Sequence, residues 1–278
     1  MIESHLDVGG AVVFWTAAEF TDRSRLLAGL TGLGLANYVP EPRPAASILR
    51  DALEEVLGGS RVLVRPLADR DGFTVVREER GRAANAYSTV LTARVIESVP
   101  PRLDFDPLDE RAEQVRASFA RHGERIPGPQ LSACLVKVVE ALGGTRLRPT
   151  GAVYWIPGPK IDDWAAVAGA VERAADGKPS AVYVLRHRLD GDAVRAVRDA
   201  VVGEVRGEAQ RMTAEIGSGD LGGRALETRK QQAGDLRDKV LLYEHLLAVG
   251  LNDLHAELDR VDQAAASATL LIAAGVPA

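Results

Sequence analysis

The stretch that decides the fold is DGDAVRAVRDAVVGEVRGEAQRMTAEIGSGDLGG, residues 190–223. Apolar side chains recur through it about every 3.67 residues, a spacing that keeps one stripe on a nearly straight helix. Asp190 or Asp192 can cap the start of this helix, and the glycine-rich run 217–223 lets it stop and the chain reverse. The stripe consists of Val194, Val197, Val201, Val205, Ala209, Met212 and Ile216.

A second apolar stripe follows the glycine-rich turn and runs almost to the end of the chain. Its members alternate spacings of three and four residues, the seam of a coiled coil. They are Ala233, Leu236, Val240, Tyr243, Leu247, Leu251, Leu254, Leu258, Val261 and Ala265. The sequence therefore predicts an antiparallel, coiled-coil-like helical hairpin over 189–278, with helices of roughly 27 and 50 residues, about 40 and 75 Å long.

The unequal lengths of the two helices predict an interface. The far part of the second helix extends past the first, so its apolar stripe must pack on the rest of the protein or on another chain. We expect Leu247, Leu251, Leu254 and Leu258 to form this interface, with a second copy in a homo-oligomer or with a protein partner. The alternative is that the long helix packs on its own chain in a monomer.

The excess negative charge is confined to the predicted hairpin. Residues 190–278 hold 15 acidic and 10 basic side chains, whereas the first 189 residues hold 24 of each, for a net charge of −5. Duplex DNA would be repelled by such a surface, because nucleic-acid affinity comes mostly from neutralising phosphates. Nucleic acid is therefore a disfavoured partner, and any contact with it falls to the N-terminal part of the chain.

Composition is that of a globular cytoplasmic protein. The single cysteine, Cys134, excludes an internal disulfide and a cysteine-rich zinc site, and it fits a reducing cytoplasm. The first ten residues carry charge instead of the apolar run of a signal peptide. The alanine-rich segment 264–278 is too short to span a bilayer, so we expect no membrane contact. Abundant arginine, alanine, glycine and valine indicate a GC-rich, bacterial genome.

Residues 1–104 are predicted to form an N-terminal α+β unit. Its elements are a strand at 11–15, helices at 23–35 and 45–57, a β-hairpin at 61–79 around an Asp-Gly turn, and a third antiparallel strand at 87–99. The proline-rich run 100–107 then reads as a linker, which places a domain boundary near residue 104.

The order helix, turn, helix, β-hairpin over residues 22–80 is that of a winged-helix module. Such a module places its second helix in the DNA major groove and contacts the backbone with the hairpin. The possible nucleic-acid contacts are Arg43, Arg50, Arg65 and Arg70. Acidic residues interleave with these arginines, so the face is no basic patch, and a plain structural α+β unit is the favoured interpretation.

Residues 105–188 are predicted to form a small central α/β layer. Its elements are helices at 108–121 and 129–142, a strand at 151–156, a helix at 161–175 and a strand at 180–188. The last four make an αβαβ run, in which the two strands form a parallel pair if the connection crosses over.

No motif in the chain indicates catalysis. A Walker loop, HExxH, GxSxG and paired CxxC are all missing, and His245 and His255 are too far apart on one helix to share a metal. Tyr154 and Trp155, before a Pro-Gly-Pro turn, could form a stacking platform. Core packing is favoured for them, because neighbours in a strand point to opposite faces. We predict no catalytic residue, no cofactor and no metal.

The predicted fold class is α+β: an N-terminal α/β unit with a three-stranded antiparallel segment, a small central αβαβ layer, and a long C-terminal antiparallel helical hairpin. The predicted function is non-enzymatic interaction or assembly through that hairpin. Two alternatives stay open. One is a DNA-associated regulator that binds through the winged-helix-like unit, and the other is an enzyme whose site is assembled from scattered carboxylates.

Overall fold

A computed structural model describes residues 9–69, 71–80, 85–96, 98, 100–148 and 150–273. It confirms a mixed α+β fold with antiparallel sheets and packed C-terminal helices. The strands are β1 (Gly10–Thr16), β2 (Phe20–Asp22), β3 (Val62–Pro66), β4 (Gly72–Arg80), β5 (Asn85–Ile96), β6 (Arg102–Asp106), β7 (Arg125–Pro127), β8 (Thr145–Arg146), β9 (Tyr154–Pro157), β10 (Ala175–Asp176) and β11 (Ala181–His187). The helices are α1 (Arg23–Thr31), α2 (Ala45–Leu57), α3 (Ala112–Gly123), α4 (Gly128–Ala141), α5 (Ile161–Ala174), α6 (Gly191–Gly217), α7 (Gly223–Leu247) and α8 (Asn252–Ala273).

The chain forms two compact units that differ from the three predicted parts. The first unit holds the chain up to Ala17, Ser132–Glu172 and everything from Ser180 onward. The second holds Ala18–Leu131 and Arg173–Pro179. The boundaries near 104 and 188 are not those of the units, because β1 leaves its sequence neighbours and pairs with β9 and β11 far along the chain.

The first unit is built on a four-stranded sheet in the order β11-β1-β9-β8. Helix α5 crosses over between β9 and β11, so these two strands run in the same direction. They are not neighbours, however, because β1 lies between them and every adjacent pair is antiparallel. The sheet and helices α4 and α5 follow the order β-α-β-β-α-β with the last strand beside the first, the ferredoxin-like arrangement. Most of the second unit, Ala18–Leu131, is inserted in the chain after β1, and Arg173–Pro179 joins it from between α5 and β11.

The two faces of this sheet are covered differently. On one face the Trp15 indole donates to the Ser132 hydroxyl in α4 at 3.3 Å, and its ring lies 6.0 Å from that of Trp164 in α5. On the opposite face Trp155 is buried in the core formed by α6, α7 and α8, with Val12 packed against that core. Helices therefore cover one face through α4 and α5, and the other face through the C-terminal helices.

The C-terminal part is a three-helix bundle, so the predicted two-helix hairpin is wrong in its second half. α6 follows the prediction closely, and its predicted stripe from Val197 to Ile216 is buried. The predicted 50-residue helix is divided into α7 and α8. Arg237 in α7 pairs with Asp259 at 2.9 Å and with Asp262 at 2.7 Å in α8, which fixes α8 antiparallel beside α7.

The break between α7 and α8 has a local cause. Ala248 adopts the left-handed conformation that ends many helices, with φ 52°, and Gly250 follows in the turn. The Glu244 carboxylate accepts a hydrogen bond from the Leu251 amide at 2.7 Å and lies 3.2 Å from His255 Nε2. Both contacts lower the pKa of Glu244, and the bond from Leu251 has the larger effect. Gly250 and Asn252 mark the end of α7 and the start of α8 in the sequence. The prediction missed them because the apolar spacing continues unbroken across the turn.

The second unit centres on the antiparallel sheet β3-β4-β5-β6. Helices α2 and α3 contribute Leu49, Leu53 and Val115 to a core shared with Val75 and Leu91 of the sheet. The predicted helix at 45–57, the hairpin and the third strand are all present. A smaller sheet, β10-β2-β7, completes the unit.

The linker predicted in this unit is wrong, and the packing of the unit differs from that of the winged-helix alternative. The run 100–107 is no linker, because β6 lies within it and pairs with β5 along its whole length. The helices are not a helix-turn-helix, since the principal helical neighbour of α2 is α3 and not α1. The β3–β4 hairpin is likewise half of a four-stranded sheet instead of a free wing.

Candidate interaction surface

The four leucines predicted to form an interface lie inside the bundle. Leu247, Leu251, Leu254 and Leu258 are between 0% and 6% exposed and belong to one core with α6 and Trp155. The exposed stripe on which the prediction rested is absent from the described helices, because α8 folds back and covers it. Of the two readings of this stripe, packing within its own chain is the one the fold adopts.

The three described arginines among those predicted to contact nucleic acid do not form a basic face. Arg43 pairs with Asp51 at 2.6 Å and is largely buried, while Arg50 lies 3.4 Å from Asp51 and 3.9 Å from Glu54. Arg65 is exposed in β3, and Arg70 lies outside the described residues. Two of these arginines are therefore partly neutralised by carboxylates of α2, the helix that would have to enter the groove.

The aromatic pair Tyr154–Trp155 is part of the core, as favoured from the sequence. The two side chains are 3% and 2% exposed and point to opposite faces of the sheet. Tyr154 stacks on Trp15 with ring centroids 5.4 Å apart, and Arg146 donates to its hydroxyl at 3.0 Å. Neither ring is available as a platform for a ligand.

A polar cluster joins α2 and α3 in the second unit. The Glu55 carboxylate accepts from the Ser118 hydroxyl at 2.5 Å and from Arg121 at 2.6 Å, and it lies 2.9 Å from His122 Nε2. The Ser118 bond is the largest of the effects that lower the pKa of Glu55 to about 2. Ser118 and His122 both contact the Glu55 carboxylate and are not hydrogen-bonded to each other. The geometry is therefore that of a structural clamp and not of a nucleophile with its base.

A second polar cluster anchors the bundle on the sheet of the first unit. Lys239 Nζ lies 2.5 Å from Glu204 and donates to the Gly144 carbonyl at 2.7 Å. Thr145 donates to the other oxygen of Glu204 at 2.6 Å, and the buried Tyr243 hydroxyl donates to the Gly143 carbonyl at 2.9 Å. The polar groups of this cluster form hydrogen bonds with one another. The cluster therefore holds the bundle and the sheet together and offers no polar group to a substrate.

The described residues contain no group of three or more His, Cys, Asp or Glu side chains placed to hold a metal ion. None of the described helices is long and apolar enough to cross a membrane.

A cleft of about 310 Å³ lies between the sheet of the first unit and the start of α6. Asp190 caps α6 by accepting from the Ala193 amide at 2.8 Å, and Asp192 pairs with Arg195 at 3.0 Å, so both carboxylates already have partners. The rest of the lining is mostly apolar. The cleft is therefore better suited to hold an apolar side chain than to catalyse a reaction. The lining residues are Val12, Leu147, Trp155, His187, Asp190, Asp192, Ala193, Ala196 and Val197.

The edge strand β11 adjoins this cleft and is exposed. Tyr183 is 47% exposed and Leu185 is 56% exposed, and both lie on the sheet face that carries Val12 and Phe14 of β1. Phe14 stacks on Tyr183. The bundle covers this face over β9 and leaves it uncovered over β11. We call Phe14, Tyr183 and Leu185 the open face.

The backbone of β11 is also open along its outer side. The Gly9 carbonyl accepts from Gly158, on the β9 side of β1, so by alternation Val12 and Phe14 bond toward Leu185 and Tyr183. The backbone groups of Val182, Val184 and Arg186 then point outward. The Val182 amide meets Glu172 at 3.1 Å, and among the described residues those of Val184 and Arg186 have no partner.

β11 is the longest of the edge strands in the sheets of the described residues. β11 has seven residues and neither proline nor lysine, the usual protections of an edge strand. β3 and β6 have five residues each, β3 ends in Pro66, and β8 has only two residues. Sequence reasoning missed this edge, because a strand with apolar residues on both faces reads as a central one.

Comparison with known proteins gives the family without a function. Neither the curated proteins nor the solved structures yielded a significant match. A family model described as a family of unknown function, DUF6744, matches residues 7–275, almost the whole chain. The chain belongs to this family, DUF6744.

Proposed function

We propose that this protein is a non-enzymatic interaction or assembly protein that binds a protein partner through β11 and the open face. The observation that carries the proposal is the coincidence of two features on one strand. Within the part of the chain that the structure describes, the outward backbone groups of Val184 and Arg186 have no partner, and the neighbouring Tyr183 and Leu185 expose apolar side chains. An added strand satisfies the first feature and covers the second.

The proposed binding surface lies on the sheet, whereas the sequence predicted it on the leucines of the C-terminal helices. The bundle keeps a supporting role, because α6 forms one wall of the cleft beside β11. An apolar side chain of the partner, inserted beside Val12 and Ala196, would anchor the complex as buried apolar anchors do in other interfaces. We place this activity in the cytoplasm, since Cys134 is free and buried, which suits a reducing compartment.

The proposal is tested by quantitative cross-linking of the tagged protein in an extract of its native host. Leu185→Asp places a charge on the open face and should abolish the specific cross-link. Tyr87→Asp is the matched control, because Tyr87 is 59% exposed but lies on β5 of the second unit. Equal cross-linking of both variants and the natural protein would overturn the proposal.

A further inference from the structure

We propose that the partner on this edge is a second copy of the chain, whose β11 pairs antiparallel with the first, centred on Val184. This inference rests on the proposed function and names its partner. The paired strands would join two four-stranded sheets into one continuous sheet of eight strands.

The backbone of β11 matches itself in this register. A twofold axis at Val184 sets that residue opposite its own copy and sets Val182 opposite Arg186 of the second copy. All three residues point their backbone groups outward. The Val184 pair can exchange two hydrogen bonds, as the narrow pairs of an antiparallel ladder do. The two Val182–Arg186 pairs do the same once the Val182 amide, which donates to Glu172 at 3.1 Å in the single chain, turns to the Arg186 carbonyl of the second copy. The axis at Val184 is also the one that pairs all seven residues of β11.

The open face matches itself in the same register. Tyr183 lies opposite Leu185 of the second copy, and the symmetry repeats this contact. An aromatic side chain opposite an aliphatic one is a favourable cross-strand pair. The two contacts would cover the largest exposed apolar side chains of the strand and extend the existing Phe14–Tyr183 stack across the interface.

The charges near β11 are complementary to those of a second copy. Glu172 lies at the outer side of Val182, where its carboxylate accepts the Val182 amide. In the paired dimer Arg186 of the second copy lies opposite Val182, within reach of Glu172, and the twofold axis makes this ion pair occur twice. Among the described residues Arg186 pairs with Asp162 at 3.3 Å, and both side chains are exposed, so exchanging this partner for Glu172 of a second copy costs little.

A pair of cysteine variants tests the register. Residues opposite each other in a narrow pair have Cα atoms about 5.5 Å apart, within disulfide range. Val184→Cys should therefore give a covalent dimer under mild oxidation with oxidised glutathione. Val182→Cys is the control, since its two copies would lie about 14 Å apart, four residues along the strand. The native Cys134 is buried and does not compete. Equal cross-linking of the two variants, or of neither, would overturn the proposal.

A proline variant tests the backbone pairing without cross-linking. Val184→Pro removes an outward amide that β1 does not use, so β11 should stay in its sheet, whereas an added strand loses a bond. Sedimentation should show a concentration-dependent dimer that Val184→Pro weakens by about tenfold or more, with Val184→Ala as the control that keeps the amide. Circular dichroism of the full chain verifies folding. A protein that stays monomeric at all concentrations would overturn the proposal.

The two proposals fail in different ways. A monomeric protein whose host cross-link is still lost in Leu185→Asp overturns the second copy as partner and retains the edge as an interaction site. A monomeric protein whose host cross-link does not respond to Leu185→Asp overturns both. Loss of the dimer in Arg186→Glu, with recovery when Glu172→Arg is added, supports the register specifically.

Discussion

Phe14 and Tyr183 lie directly opposite each other on β1 and β11, and their rings stack with centroids 4.8 Å apart and planes 19° apart. The stack fixes the orientation of a side chain that is half exposed on an edge strand. Tyr183 would therefore meet the proposed partner already ordered, which would lower the entropy lost on binding. Such an exposed but ordered aromatic residue is typical of the centre of a protein interface.

Truncation of a leucine in the bundle should lower the stability of the protein and leave its oligomeric mass unchanged. Leu254→Ala removes a side chain that is 1% exposed, and we expect the free energy of unfolding to fall by about 2–5 kcal/mol. Leu241→Ala, at a residue 55% exposed on α7, should change it by less than about 0.5 kcal/mol. Urea unfolding measures both. A change in oligomeric mass with unchanged stability for Leu254→Ala would revive the leucine interface.

The Lys239–Glu204 pair should be costly to break from one side. Lys239→Met leaves the partly buried Glu204 without its cation, and we expect a loss of about 3 kcal/mol in the free energy of unfolding. Lys230→Met is the control, because its pair with Glu227 is 3.8 Å long and exposed, worth less than about 1 kcal/mol. Adding Glu204→Gln to Lys239→Met should recover part of the loss. Equal losses for the two lysines in chemical denaturation would contradict the anchoring role.

The Glu55 clamp should make stability depend on acid pH. Its pKa falls from 4.5 to about 2 on folding, with Ser118 as the largest cause. A lowered carboxyl pKa contributes stability that is full above about pH 4.5 and is lost as the pH falls toward 2. Glu55 is 45% exposed, so solvent screening keeps the effect on the order of 1 kcal/mol.

Glu55→Gln tests this clamp through thermal melts at pH 7 and pH 3. The variant should melt below the natural protein at pH 7, and the gap should narrow at pH 3. Glu54→Gln, at a 57% exposed residue one position away, should leave the melting temperature unchanged at both pH values. A gap that widens in acid would refute the assignment.

The thiol of Cys134 should be unreactive in the folded protein. Burial raises its pKa to about 11, and the side chain is 2% exposed, so at pH 8 little thiolate is present or accessible. A chromogenic disulfide reagent should label the native protein slowly and the urea-unfolded protein completely. Fast labelling of the native protein would show that α4 opens readily.

Local elements followed from the sequence wherever one periodicity ran without interruption. Helix α2 begins and ends at the predicted residues, and the buried side of α6 is the predicted stripe. Side-chain spacing sufficed there, because a helix that packs on one side must repeat its apolar residues every turn. The same reasoning failed at Ala248, where the stripe continues from Leu247 to Leu251 although the chain turns back.

The exposed edge could not be predicted from the sequence at all. Tyr183 and Leu185 read as core residues, since alternate residues on both faces of β11 are apolar. Their exposure depends on where the bundle ends on the sheet. The polar anchors Glu204 and Lys239 were equally invisible, because they meet across 35 residues of chain.

The sequence by itself determined the α+β class, the positions of most helices and strands, and the apolar stripes of the C-terminal helices. These depend on local spacing and on caps, which act within a few residues. Only the tertiary structure decided that β1 lies between β9 and β11, that α8 folds back on α7, and that β11 is left as an open edge. Each of these depends on contacts between distant segments, and apolar burial rewards any partner of suitable shape, so spacing alone does not select the partner.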